Sequence, residues 1–210
     1  MKKPQPLGPI VVLVNLKGGT GKTTLATHIA HDLQAHLVDL DPQGDAFDWA
    51  TRSGHIQTSQ AHGWEDALAQ VRTARTLGPV VVDCPPGEGP ALRAALSVAN
   101  VAVVPAKGSM QDLRAVGRMM ELVEEARANG NPALKAALVL NEARSSISMT
   151  GATEDALTQV HGAVCLGHLG LRQAFVDAFA AGRAVHTGPA RKDMKALLEN
   201  LRRVMRKATI

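Results

Sequence analysis

The stretch NLKGGTGKTTLA, residues 15–26, leaves the chain around it little freedom. The β-branched run IVVLVN before it reads as a strand, and KTTLATHIAHDL after it reads as a helix, so Gly18, Gly19 and Gly21 make a strand–turn–helix unit. Such a turn aims successive backbone N–H groups at one point, and the following helix adds the positive end of its dipole. The product is a cradle for a polyphosphate, carried on an α/β sheet. One position is irregular. The usual pattern G-x-x-x-x-G-K-[ST], anchored on Gly21, Lys22 and Thr23, asks for glycine at position 16, where this chain has Leu16 followed by a second lysine, Lys17.

The residues of the loop carry distinct chemistry. Gly18, Gly19, Thr20 and Gly21 form the turn itself, Lys22 neutralises β- and γ-phosphates, the Thr23 hydroxyl is placed to ligate Mg²⁺, and Thr24 reaches toward an α-phosphate. A phosphate loop also needs carboxylates to hold the metal and orient water. LVDLDPQGD brings Asp39 and Asp41 to the end of one strand, and VVVDCPPG brings Asp83 to the end of another. Ligands of open α/β sheets bind at such carboxyl ends. Asp83, after a valine run, reads as the Walker B carboxylate that meets Mg²⁺ through water. Pro85, Pro86 and Gly87 stop the strand and leave a loop able to respond to a γ-phosphate.

Short apolar runs alternate with helical stretches along the rest of the chain. Strands are expected at 10–15, 36–41, 80–85, 101–106 and 137–141, and helices near 22–34, 64–76, 89–97, 110–128, 150–160, 172–181 and 191–207. Runs apolar on every residue suit strands covered on both faces, so the expected fold is a single P-loop NTPase domain over 1–210: a mostly parallel twisted sheet flanked by helices on both faces, with a flexible segment at 1–9. Ser109 is a candidate N-cap for the helix after it, with Asp112 completing a box-like start. The aromatic share is 2% and tyrosine is absent, so Ala, Val, Leu and Ile must build the core. No apolar run reaches membrane-spanning length and prolines interrupt the N-terminal segment, which points to the cytoplasm. The two cysteines, Cys84 and Cys165, have no disulfide or C-x-x-C spacing and read as small hydrophobes.

KGGTGKTT, DLDPQGD and VVVDCPPG, in that order, resemble the deviant Walker A ATPases of the MinD/ParA superfamily, above all the ParA-type partition and cargo-positioning ATPases. The likeness extends through ALRAALSVANVAVVPA and LNEARSS. It implies that Lys17 is the signature lysine, reaching across an ATP-sandwiched homodimer to the partner's phosphates. It also implies that Lys22, Thr23 and Thr24 serve the loop's own nucleotide, that Asp41 attends the attacking water, that Asp39 lies near the metal, and that Asn141 contacts adenine. The implied cycle uses ATP and Mg²⁺, dimerises, binds non-specific DNA at the nucleoid, and hydrolyses ATP slowly until stimulated by a small ParB- or ParG-like adaptor. The phosphate loop begins so early that the resemblance is to the small partition ATPases without an N-terminal helix-turn-helix domain. One local departure is the short connection LQAHLVDLD between first helix and next strand.

Absences separate relatives within the superfamily. Bacterial tyrosine kinases carry a C-terminal tyrosine cluster, and iron–sulfur relatives need cluster-ligating cysteines; neither fits. ATP-dependent amide-forming synthetases remain an alternative, as does a MinD-like membrane-surface ATPase. DNA or membrane turns on charge. Residues 1–100 carry eight Lys and Arg against nine Asp and Glu, while 101–210 carry fifteen against ten, so a polyanion would favour the second half. In RKDMKALLENLRRVMRKATI, Met194, Leu197, Leu198, Leu201, Val204 and Met205 recur at helical spacing among Arg191, Lys192, Lys195, Arg202, Arg203, Arg206 and Lys207. The stripe suits a helix packed on the domain with a solvated basic face, and that face, with Arg172 and Arg183, is a candidate non-specific DNA surface. It lacks the Trp and Phe favoured at lipid interfaces. His28 and His31 read as helix-surface residues, Trp49 and Trp64 as packing residues, and Glu121, Glu124 and Glu125 as a solvated face.

Overall fold

A computed structural model describes residues 7–107, 110–143 and 162–208, without the side chains of Met110, Leu113 and Ala143. Its strands are β1 (Ile10–Leu13), β2 (His36–Asp39), β3 (Thr58–Gln60), β4 (Val80–Asp83), β5 (Val101–Ala106), β6 (Lys135–Ala143) and β7 (Val164–Gly170). The helices are α1 (Lys22–Leu33), α2 (Asp45–Ser53), α3 (Trp64–Arg75), α4 (Pro90–Val98), α5 (Met110–Ala128), α6 (Gln173–Ala180) and α7 (Gly188–Ala208). The seven strands form one sheet in the order β3-β2-β4-β1-β5-β6-β7, and every pairing is parallel.

Period-two alternation explains why the central strands are apolar throughout. Ile10, Val12, Val80, Val82, Ala102 and Val104 point into the layer that packs α3, α4 and α5. Val11, Leu13, Val81, Val101 and Val103 point into the opposite layer with α1, α2, α6 and α7. Both faces are buried, so neither can be polar. The chain leaves β1 toward β2 on one side and returns from β4 to β5 on the other, so the order reverses around β1. Such a reversal opens a crevice at the carboxyl ends of the strands, where the phosphate loop lies.

Three elements were not legible in the sequence. The edge strand β3 is three half-buried polar residues, Thr58, Ser59 and Gln60, ordered by pairing with β2. Helix α2 is only nine residues, anchored by Ala46, Trp49 and Ala50 at helical spacing. Strand β7 is interrupted by Gly167, whose φ of 111° falls in the left-handed region that favours glycine. The expected helix at 150–160 and the Ser109 cap lie outside the described residues. Of the segment expected to be flexible, 1–9, residues 1–6 lie outside the described residues, while Gly8 and Pro9 are bonded: the Gly8 N–H donates to the Arg75 carbonyl and the Val80 N–H to the Pro9 carbonyl.

Two side-chain expectations are corrected. Trp64 is 48% exposed, so it is not a packing residue, whereas Trp49 is fully buried. His28 is buried rather than on the helix surface, with its ring against Trp49 and Phe175. Its Nδ1 donates to the Thr24 carbonyl at 2.7 Å, leaving Nε2 without a partner, and burial lowers its pKa to about 4. Glu121, Glu124 and Glu125 do form a solvated face, paired with Arg118, Arg127 and Arg93.

Candidate nucleotide site

The glycine-rich loop is tied to the strands on either side of β1. Asn15 is fully buried; its Nδ2 donates to the Pro105 carbonyl at 2.6 Å and its Oδ1 accepts the Lys17 N–H at 2.9 Å. The Gly87 N–H, beyond Asp83, donates to the Leu16 carbonyl at 3.1 Å. Gly19 and Gly21 have φ of 70° and 93°. A Cβ on Gly21 would also come within 2.1 Å of Asn141 Nδ2, which donates to the Thr20 carbonyl at 2.8 Å. Helix α1 then begins with no side-chain cap and no acidic residue in its first turn. Its first N–H groups and positive pole therefore lack a side-chain partner, which suits an anion.

Four charged side chains meet beneath this opening. Lys22 is only 6% exposed, and burial lowers its pKa against the opposing pull of Asp83, Cys84 and Asp41. Asp83 is 1% exposed, and neither carboxylate oxygen has a hydrogen-bond partner of ordinary geometry. Burial raises its pKa to about 8, with the neighbouring Thr23 hydroxyl and Lys22 ammonium offsetting only part of that rise and Asp39 adding to it. Asp39 pairs in register with Asp83 on the adjacent strand but is fully satisfied: Oδ1 accepts the Asp41 N–H at 2.9 Å and Oδ2 the Phe47 N–H at 3.0 Å. Both of its oxygens thus brace the loop that carries Asp41, on the strand beside Asp83. Asp41 is half-buried, with one oxygen accepting the Gln43 N–H at 3.0 Å.

An open cavity of about 290 Å³ continues from this opening. Gly21, Thr24, Asn141 and Glu142 line one end, and Leu171, Phe175, Val176 and Phe179 give the other an apolar wall. The first end touches the phosphate cradle and the second suits the flat face of a base. Lys17 projects beside the opening, where its Nζ lies 2.8 Å from Oδ1 of the buried Asp112. Asp112 thus holds a loop cation, beyond any part in starting α5. Asn15, Asp112, Lys107 and Glu142 are the site residues that sequence reasoning did not assign; the legible signal was the place of Asn15, Lys107 and Glu142 at strand ends and of Asp112 in the first turn of α5.

The basic face is only partly free. Arg172 is bonded through Nε and Nη2 to Asp193 at 3.0 Å, Arg191 is paired with Asp32, and Arg202 donates to the Asp32 carbonyl at 3.3 Å. Arg183, Lys192, Lys195, Arg203 and Arg206 are exposed. The apolar stripe beneath them, Met194, Leu197, Leu198, Leu201, Val204 and Met205, is buried in the core. No helix among the described residues is long and apolar enough to cross a membrane.

Similarity to known proteins agrees with this geometry. Maintenance of carboxysome distribution protein A of Halothiobacillus neapolitanus is 33% identical over 187 residues, covering 83% of this chain and 85% of that one. The chromosome-partitioning ATPase Soj of Thermus thermophilus is 29% identical over 162 residues, 60% of this chain and 65% of that one. Among solved structures, an ATP complex of Cyanothece McdA superimposes with a TM-score of 0.75 at 16% identity, covering 95% of this chain and 97% of that one. The MinD cell division protein of Aquifex aeolicus gives 0.73 at 17% identity, covering 93% and 97%, and shares the fold. Residues 11–185 match the family model described as the CobQ/CobB/MinD/ParA nucleotide binding domain. With its glycine-rich cradle at the reversal of a seven-stranded parallel sheet, the chain belongs to that family and is a ParA/MinD-type ATPase.

Proposed function

We propose that the chain is an ATP-dependent dimerising switch that binds DNA without sequence preference and hydrolyses ATP to segregate a plasmid or chromosome region, or to position a cellular cargo, with a small adaptor. The observation that carries this reading is the pairing of an uncapped helix start at Lys22 with a buried, unpartnered Asp83 carboxylate one strand away. A buried carboxylate that Lys22 and Thr23 compensate only in part costs free energy until a further charge arrives from outside.

The phosphate chain lies in the Gly18–Gly21 turn against Lys22, with Thr24 at the α-phosphate. Thr23 and Asp83 would hold Mg²⁺, which would supply neutralisation of the phosphate charge. Mg²⁺ keeps several waters and needs few protein ligands, so two residues are enough. Asp41, carried on the loop that Asp39 braces, orients the attacking water. Asn141 lies at the ribose–base end. Lys17 crosses to the nucleotide of a second copy; replacing it with alanine leaves ATP binding but abolishes ATP-dependent dimerisation, read by analytical ultracentrifugation. Turnover is slow until the adaptor stimulates it.

With Arg172 and Arg191 engaged by carboxylates, the DNA-facing set narrows to Arg183, Lys192, Lys195, Arg203 and Arg206, with Arg202 at its edge. Lys192→Ala weakens binding to all sequences alike and lowers the salt slope by about one unit. The relatives' names, carboxysome distribution and chromosome partitioning, favour cargo positioning at the nucleoid in the cytoplasm. The MinD-like membrane reading is the weaker one, since the apolar stripe of α7 is already buried. Sedimentation with DNA or with anionic liposomes, in ATP and in ADP, tests the choice. Retention on DNA in ATP alone is expected, and retention on liposomes alone overturns it.

A further inference from the structure

The exit of β6 contains an irregularity that the phosphate chemistry does not explain. Its register against β7 runs Leu138↔Cys165, Leu140↔His168 and Ala143↔Gly170. One extra residue therefore sits on β7 in the first interval, and one extra residue sits on β6 in the second. The second is a bulge within 140–143, and there Glu142 adopts φ of 55°. A left-handed conformation costs a non-glycine residue about 1–2 kcal/mol, and bulges beside active sites re-aim a side chain. The carboxylate of Glu142 is then clamped: Oε1 lies 2.6 Å from Lys107 Nζ, at the exit of β5. Among the described residues, no hydrogen bond engages the second oxygen.

Glu142 lines the cavity next to Thr24 and Asn141, between the phosphate cradle and the apolar wall of Phe175 and Phe179. In a nucleotide laid from that cradle to that wall, the sugar is the portion between phosphate and base. A vicinal diol offers two O–H donors, and a carboxylate offers only acceptors. Resting on the nucleotide reading above, we infer that Glu142 is a specificity-determining residue that accepts hydrogen bonds from the ribose hydroxyls, with Lys107 as the positioning residue that holds its carboxylate over the cavity. The bulge places an acceptor where a regular strand would have passed the side chain to one face of the sheet.

Equilibrium binding of ATP and of 2′,3′-dideoxy-ATP to the full chain and to Glu142→Gln tests the assignment. The wild-type protein is expected to favour ATP by about tenfold or more, the scale of a hydrogen bond to a charged group. Glu142→Gln is expected to reduce that preference to about threefold or less while binding the dideoxynucleotide as the wild type does, which also reports an intact fold. Glu142→Asn, whose shorter side chain tolerates the left-handed backbone, is expected to lose the preference in the same way. ATP binding with undiminished preference in both variants overturns the ribose assignment alone. Failure of the wild-type protein to bind ATP overturns the nucleotide reading, and the assignment with it.

Discussion

The ends of β2 and β4 carry the same residue in the same register and use it in opposite ways. Asp39 and Asp83 are both buried, and they face each other across neighbouring parallel strands. After Asp39 the chain turns back on itself, so the backbone N–H groups of Asp41 and Phe47 converge on its carboxylate. After Asp83 comes Cys84, whose N–H goes to the Leu13 carbonyl, then two prolines, which have no N–H, and the Gly87 N–H goes to Leu16. A carboxylate satisfied by its own loop builds structure; one that its loop leaves bare is available to a ligand. The burial of both is one cost of folding: at β2 the backbone N–H groups offset part of it, burial still holding the Asp39 carboxyl above its ordinary pKa, and at β4 the loop offers no such donors.

Substitutions should separate the two ends, and the largest effect belongs to turnover. Asp83→Asn is expected to lower Mg·ATP hydrolysis by about 10²-fold or more, the scale of removing one preorganised charged group from a phosphoryl-transfer site. A steady-state phosphate-release assay with wild-type rates in that variant would break the comparison. In urea melts of the nucleotide-free protein near neutral pH, the same substitution should leave stability nearly unchanged, because a carboxyl whose pKa is about 8 is mostly protonated there and asparagine is its neutral counterpart in shape.

Asp39→Asn is expected to do the reverse in the melts. Its loss of a charge-assisted pair of backbone bonds should cost about 2 kcal/mol, read from the shift in the urea midpoint at constant slope. Equal melts for Asp39→Asn and wild type would mean that the loop does not depend on its brace.

The pH dependence of the nucleotide-free fold sharpens the contrast further. The folded pKa of Asp83, about 8, lies above its ordinary value of 3.8, so its contribution is fully present below pH 3.8 and is lost as pH rises through 8. His28 is opposite in sign: folded at about 4 against an ordinary 6.5, it contributes fully above 6.5 and loses that contribution as pH falls toward 4. The two slopes oppose each other between pH 4 and 6.5, and above 6.5 the His28 contribution no longer changes. The Asp83 titration should lower the stability of the nucleotide-free protein by about 1–2 kcal/mol between pH 6.5 and 8, the slope easing from about 1.4 kcal/mol per unit as pH nears the folded pKa. Melts of Asp83→Asn over the same interval should be flat by comparison, and an equal slope in that variant would assign the titration elsewhere.

The smallest expected effect concerns Asp41, intermediate between the two. Half-buried and bonded once, it can be replaced by alanine with a change of about 0.5 kcal/mol or less in the melts. A larger loss would make Asp41 part of the brace rather than a group held out toward solvent.

Legibility followed burial pattern. The five central strands and the long helices were readable because strands covered on both faces must be apolar at every position, and packed helices must carry a stripe. The short strand Thr58–Gln60 was not, since its order comes from β2 rather than from its own residues. Helix α7 was read with its buried stripe but three residues short at its start, where Gly188, Pro189 and Ala190 look like a breaker. At the site, Lys22, Thr23 and Asp83 stood out because local spacing defines a phosphate loop and a strand-end carboxylate. Asn15, Asp112 and Glu142 did not, because each acts through a partner about 90 residues away, or through a register shift that no local pattern encodes.

The sequence by itself determined that a phosphate-binding turn joins a strand to a helix, that the sheet is covered on both sides, and which family the motifs resemble. These are properties of residues near one another in the chain, where spacing converts directly into geometry. Only the tertiary structure decided that Asp39 is satisfied while Asp83 is bare, that Lys17 rests on Asp112, and that Arg172 and Arg191 are engaged by carboxylates. Those outcomes depend on which strand lies beside which, and on whether a distant backbone N–H or carboxylate arrives to meet a charge.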